Sequence, residues 1–115
     1  MILKSGNSKI IVGYDLGQSH SQISYYTAET SKVETAASVA GTQIYNIPTV
    51  LCKKYGVNQW LYGKEALRAT SEDEGILVDN LLTLARDGEM VQIEGEPYDP
   101  VALLTLFVKK SLSLL

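Results

Sequence analysis

The sequence predicts an α/β fold in which an antiparallel strand meander is followed by short strands and helices. Three observations carry that prediction. Between Lys9 and Tyr26, apolar residues alternate on both sides of a glycine turn. From Ile47 to Ile93, short β-branched runs are separated by turn sequences and one helix-forming stretch. From Asp99 onward a single helical pattern runs to Leu115. Period-two alternation marks strands and a 3.6-residue period marks helices, so the order of elements can be read before any contact is known.

Residues 1–8, with Gly6-Asn7-Ser8, are expected to be a flexible leader, and residues 9–115 the folded portion. Ile10 and Val12 alternate with Ile11 and Gly13, and Ile23 with Tyr25 resumes the pattern after the turn at Gly17. Tyr25 to Ala28 extends the second strand on residues that suit a pleated surface. Glu29-Thr30-Ser31 is expected to turn, and Lys32–Ala37 to add a third antiparallel strand. Ser38–Gln43 is small and polar, as a loop would be.

Within Ile44–Lys53, the β-branched run Ile47–Cys52 is expected to be a strand, with Pro48 at its entry, where a missing amide costs least. Residues 54–58 turn, and Gln59–Tyr62 return as a strand. Gly63 opens a helix over Lys64–Ala69. The acidic run Ser71–Gly75 is expected to be a solvated loop rather than a metal site. Ile76–Leu84 is mainly apolar and fits helix or strand. Met90–Ile93 is a strand and Glu94-Gly95-Glu96 a turn. Asp99-Pro100 combines an acidic N-cap with proline at the first helical position, which starts the last helix.

That helix is expected to continue to the final residue. Val101, Leu104, Val108, Leu112 and Leu115 recur at helical spacing, and Leu103, Leu106, Phe107 and Leu114 widen the apolar surface. Thr105, Lys109, Lys110 and Ser113 form the polar strip. So apolar a helix needs cover on two sides, either from the remainder of a larger domain or from another copy of the chain.

Composition narrows the classes. The chain has 115 residues, 45% hydrophobic and 20% charged, as expected for about one globular domain. A net charge of −3, without a Lys/Arg cluster, gives no electrostatic basis for binding nucleic acid. No apolar run approaches the ~20 residues that span a bilayer, so no membrane segment is expected. A single cysteine, Cys52, cannot form an internal disulfide; a cytoplasmic location and a buried strand position follow as expectations. Trp60 and the seven tyrosines are scattered and are expected to fill the core.

The chemistry concentrates in Asp15-Leu16-Gly17-Gln18-Ser19-His20-Ser21. Glycine permits a tight turn in which successive amides face one concave nest suited to an anion. The hydroxyls of Ser19 and Ser21 are candidate further donors, and Asp15 can reach a hydrated divalent cation. An ordinary hairpin with a polar loop accounts for the same residues. His20, the only histidine, lacks a paired carboxylate in sequence and is expected to neighbour phosphate rather than act as a base. No catalytic residue is assigned.

Val12-Gly13-Tyr14-Asp15-Leu16-Gly17-Gln18-Ser19-His20-Ser21 resembles the first phosphate loop of the actin-like ATPase superfamily, in the form found in seventy-kilodalton heat-shock chaperones (the DnaK type) and bacterial actins. Ile47-Pro48-Thr49-Val50 resembles the chaperones' proline-led strand. Leu61-Tyr62-Gly63-Lys64-Glu65-Ala66 resembles their glycine-x-x-alanine element, and Tyr98–Lys110 the helix after their short hairpin. Together these cover nearly all the chain after residue 8, in family order.

The resemblance implies a fragment of a ribonuclease-H-like first lobe. It implies phosphate contacts from Gly17, Gln18, Ser19 and His20, with Asp15 holding magnesium through water. ATP or ADP with Mg2+ would serve the full-length parent, with none tightly held by residues 9–115. The remaining lobe would lie beyond Leu115, so the fragment by itself is expected not to hydrolyse ATP. The parent would be a chaperone-like ATPase acting on protein clients; a non-catalytic or filament-forming actin-like protein and a binding module unrelated to nucleotides are the alternatives. Gln18 stands where the chaperones usually carry threonine, replacing a hydroxyl with an amide.

Overall fold

A computed structural model describes the backbone of residues 2–5, 8–27, 32–35 and 46–115, and the side chains of 11–25 and 46–115. It is a small α/β domain of antiparallel sheets and helices. The expected turn at Glu29–Ser31 and the loop at Ser38–Gln43 lie outside the described residues.

The hairpin forms as its alternation predicts. Strands β2 (Ser8–Leu16) and β3 (His20–Thr27) pair antiparallel, with Val12 opposite Tyr25 and Tyr14 opposite Ile23. Strand β4 (Lys32–Thr35) pairs with the second half of β3. Strand β5 (Ile47–Pro48) pairs with the first half, placing Pro48 opposite His20. The leader is a correction: β1 (Ile2–Ser5) is a strand paired with β2, Ile2 opposite Ile11 and Ser5 opposite Ser8. The Gly6-Asn7 dipeptide between Ser5 and Ser8 belongs to the hairpin-turn sequences, and was the available signal.

The strand expected over Ile47–Cys52 divides in two. The Val50 amide donates to the Pro48 carbonyl at 2.9 Å, a γ-turn centred on Thr49, and β6 (Leu51–Lys54) leaves in a new direction. Strand β6 is the centre of a second sheet, flanked by β7 (Trp60–Tyr62) and β8 (Gly75–Val78). Gly75 sits against β6 so closely that an added Cβ would lie 2.6 Å from Cys52 Sγ and nearer still to the Lys53 carbonyl. Only glycine fits that pairing.

The two faces of β6 serve two cores. Leu51 joins Val12, Ile23, Ile47, Val78, Leu81, Ile93, Leu103 and Phe107 in the main cluster. Cys52, fully buried as expected, packs with Val50, Ala66 and Ala69 beneath helix α1 (Gly63–Ser71). Small side chains let that helix approach the sheet. The acidic run after it is largely exposed and organised by Arg68, which pairs with Glu65, Glu72 and Glu74.

Ile76–Leu84 proves to be both strand and helix. Val78 ends β8 opposite Leu51, Asn80 turns through a left-handed backbone (φ 54°), and α2 (Leu81–Asp87) begins. Strands β9 (Val91–Ile93) and β10 (Glu96–Tyr98) form a hairpin, and Tyr98 meets Trp60 edge-on with centroids 5.5 Å apart.

Helix α3 (Pro100–Ser111) starts at the predicted cap: the Asp99 carboxylate accepts from the Val101 amide at 2.9 Å. It ends at Ser111, and Leu112–Leu114 tighten into a 3₁₀ turn instead of continuing the helix. Its buried face is Pro100, Leu103, Phe107 and Ser111. Of the Val101–Leu104–Val108–Leu112–Leu115 stripe, Leu104, Val108 and Leu112 pack partly buried against the main cluster, while Val101 is 53% exposed. Phe107 contacts Tyr62 edge-on, and Ser111 is hydrogen-bonded to Tyr14 of β2. Burial pushes the Tyr14 phenol above its ordinary pKa, although the Ser111 hydrogen bond opposes that shift.

The second sheet is fastened to the β9–β10 turn by one ion pair. Lys53, 7% exposed, pairs with Glu94, which also accepts from the Gly56 amide at 3.1 Å. The Lys53 ammonium, and then the Gly56 amide, hold the Glu94 carboxyl below its usual range. A depressed carboxylate stabilises the fold above its unfolded pKa, and that contribution is lost as pH falls through the folded value. Glu94→Gln should therefore lower the urea midpoint at neutral pH. The difference from wild type should shrink once pH drops below about 4.3, the ordinary glutamate value. Parallel urea titrations across that range check this; a difference that stays constant with pH would contradict it.

Candidate phosphate-binding turn

The five residues expected to form the site are together at one end of the β2–β3 hairpin. Asp15 is the penultimate residue of β2, opposite Gln22, with an exposed side chain. Because side chains alternate along a strand, Tyr14 turns inward to Ser111 while Asp15 takes the other face. Gly17, Gln18 and Ser19 form the turn beyond the last ladder pair, Leu16 with Ser21, and His20 begins β3.

Glycine is required at position 17 for a different reason from the expected one. Its φ is not among the positive values, which among the described glycines belong to Gly56, Gly63, Gly88 and Gly95. The constraint is the His20 carbonyl oxygen, which an added Cβ at Gly17 would overlap. The two sides of the turn are that close.

Thr49 holds the turn from beneath. Its hydroxyl donates to the Gly17 carbonyl at 2.8 Å, and its amide donates to the Ser19 carbonyl at 2.9 Å. A hydroxyl has one proton, so with Thr49 committed to Gly17, the Ser21 hydroxyl is the donor in the 2.8 Å Ser21–Thr49 bond. Both side chains are buried, Ser21 at 1% and Thr49 at 0% exposure. Ser21 is therefore a structural support and not a ligand donor, which corrects the sequence expectation.

This clamp sets the direction of the amides. The peptide bonds are trans, so each C=O points opposite to the N–H of the next residue. With the Gly17 and Ser19 carbonyls drawn inward to buried Thr49, the N–H groups of Gln18 and His20 are turned away from Thr49. The exposed Ser19 hydroxyl lies beside them, 3.1 Å from His20 Nδ1.

Gln18 reaches sideways. Its Nε2 donates to Thr83 Oγ1 at 2.6 Å and is 3.4 Å from Asn80 Oδ1, linking the turn to the start of α2. Thr49, Asn80 and Thr83 were not identified as site residues from the sequence. The signal for Thr49 was a polar β-branched residue in an otherwise apolar run after proline; Asn80 and Thr83 offered none, being remote in sequence. Among the described residues, no three His, Cys, Asp or Glu side chains are grouped to hold a metal ion directly. An outer-sphere carboxylate needs no such group, and Asp15 is exposed at the turn as that role requires.

Residues 32–115 match the model of the C-terminal part of a family of unknown function, DUF5716. The chain belongs to this family. The match takes in Thr49, Asn80 and Thr83 and begins after the hairpin that carries Asp15–His20. The family's description assigns no activity, and no curated protein matches the chain. Among the described residues, no helix is long and apolar enough to cross a membrane.

Proposed function

We propose that the Gly17–His20 turn receives phosphate groups of a nucleotide, and that this DUF5716 member is part of a ribonuclease-H-like lobe of an actin-like, chaperone-type ATP-binding protein. The observation that carries the reading is the Thr49 clamp, which anchors the Gly17 and Ser19 carbonyls and so leaves the Gln18 and His20 amides facing away from Thr49 at a turn that carries the exposed Ser19 hydroxyl. Convergent backbone donors at a tight turn are the chemistry that anions select. Asp15 at the same end fits a carboxylate that holds hydrated Mg2+. The metal would neutralise phosphate charge when bound, while the turn amides orient the phosphate oxygens. A second lobe would close the cleft, so binding to the chain by itself is weak and turnover absent.

Titration of isotopically labelled chain with inorganic tripolyphosphate tests this directly. The amide resonances of Gln18, Ser19 and His20 should move together and saturate, and Mg2+ should strengthen the effect. Asp15→Asn should abolish the Mg2+ enhancement while leaving the metal-free shifts. Shifts absent from the turn, or an enhancement that persists in Asp15→Asn, would overturn the assignment.

A further inference from the structure

Between β8 and the β9–β10 hairpin lies a cavity of about 240 Å³, lined by Ile76, Leu77 and Val78 on one side and Val91, Gln92 and Ile93 on the other. Three consecutive residues of each strand line it. A strand that presented a face would contribute every second residue, so consecutive lining residues mean that both strands present their edges. The topology agrees: β8 is the outer strand of the order β7-β6-β8, β9 has β10 on one side only, and neither has a second strand partner among the described residues. Asp79, Asn80 and Leu84 complete the lining. The volume falls below the ~300–1,000 Å³ of clefts that engulf small-molecule ligands.

Two facing strand edges offer backbone donors and acceptors to a chain laid between them, and unsatisfied edges are the usual template for strand addition. Charge selects the chain. Asp79 follows β8 in the cavity wall, Glu89 precedes β9 and Glu96 follows its turn, all exposed. Lys53, the register partner of Ile76, is engaged with Glu94, and Arg86, three residues before Glu89, with Asp87.

We propose that this slot binds an extended segment of another protein by strand addition, with apolar residues between β8 and β9 and lysine or arginine flanking them. The slot adjoins the Gly17 turn at Asn80, and its proposed role does not depend on the function of that turn. The probe is a short peptide of alternating valine and threonine with a lysine at each end, titrated against labelled chain. Amide shifts should concentrate in residues 76–78 and 91–93; shifts elsewhere, or none, would overturn the proposal. Methylating one central peptide nitrogen keeps the side chains and removes a ladder donor, and should weaken binding by about fivefold to tenfold. Equal binding would mean that the contact is not strand addition. Replacing both lysines with glutamate should weaken binding further, and undiminished affinity would refute the charge selection.

Discussion

Phe107→Ala is expected to be the most damaging single substitution in the chain, costing about 3–5 kcal/mol, the range for emptying a buried aromatic site. Phe107 is fully buried in α3 and stands edge-on to Tyr62 at a centroid distance of 6.3 Å. Its cluster draws on the hairpin through Val12 and Ile23, on the second sheet through Leu51 and Val78, and on α2 through Leu81. A cavity there opens inside the cluster that joins these layers, and small domains hold only about 5–15 kcal/mol in total. Val101→Ala, on the exposed side of the same helix, should change stability by no more than about 0.5 kcal/mol. Denaturant unfolding of the two variants decides which face of α3 is inside. Comparable losses would mean that Val101 is buried as well.

Thr49→Val should be nearly as severe, about 2–4 kcal/mol, although it preserves the shape of the side chain. It leaves the Gly17 carbonyl without its hydroxyl donor and the buried Ser21 hydroxyl without its acceptor, each costing about 1–3 kcal/mol. Thr49→Ser keeps both bonds and gives up one methyl group, so its cost should stay near 1 kcal/mol. The variants also separate support from contact. In Thr49→Val the turn carbonyls lose one of their two anchors, and tripolyphosphate binding should weaken; in Thr49→Ser it should persist. A Thr49→Val chain that kept its stability and its anion shifts would remove Thr49 from the site.

Much of the fold was legible because its signals are local. Asp99-Pro100 marked a helix start through a side chain that reaches an amide two residues away. Ile10 to Tyr25 marked a hairpin through alternation alone. Asp15, Gly17, Gln18, Ser19 and His20 were grouped by proximity in the chain, and the fold keeps them at one end of that hairpin. Gly17 was singled out correctly but for the wrong constraint, since crowding by the His20 carbonyl depends on where the returning strand lies.

What sequence could not supply were the choices between equally apolar alternatives. Nothing local distinguishes the Leu103–Phe107 face of α3 from the Val101–Leu104–Val108 stripe. The selection comes from partners such as Tyr14, which meets Ser111 across 97 positions of chain. Ile76–Leu84 divides between β8 and α2 because Val78 must align with Leu51, while Asn80 can adopt the left-handed turn that follows. Thr49 became the support of the Gly17 turn only when β5 was laid against β3. By itself the sequence determined the hairpin, the start of the last helix and the cluster of polar residues at the Gly17 turn, because capping, alternation and turn chemistry act over a few residues. Tertiary structure decided which faces are buried and which way the turn's amides point, because burial and hydrogen-bond direction depend on atoms brought together from distant parts of the chain.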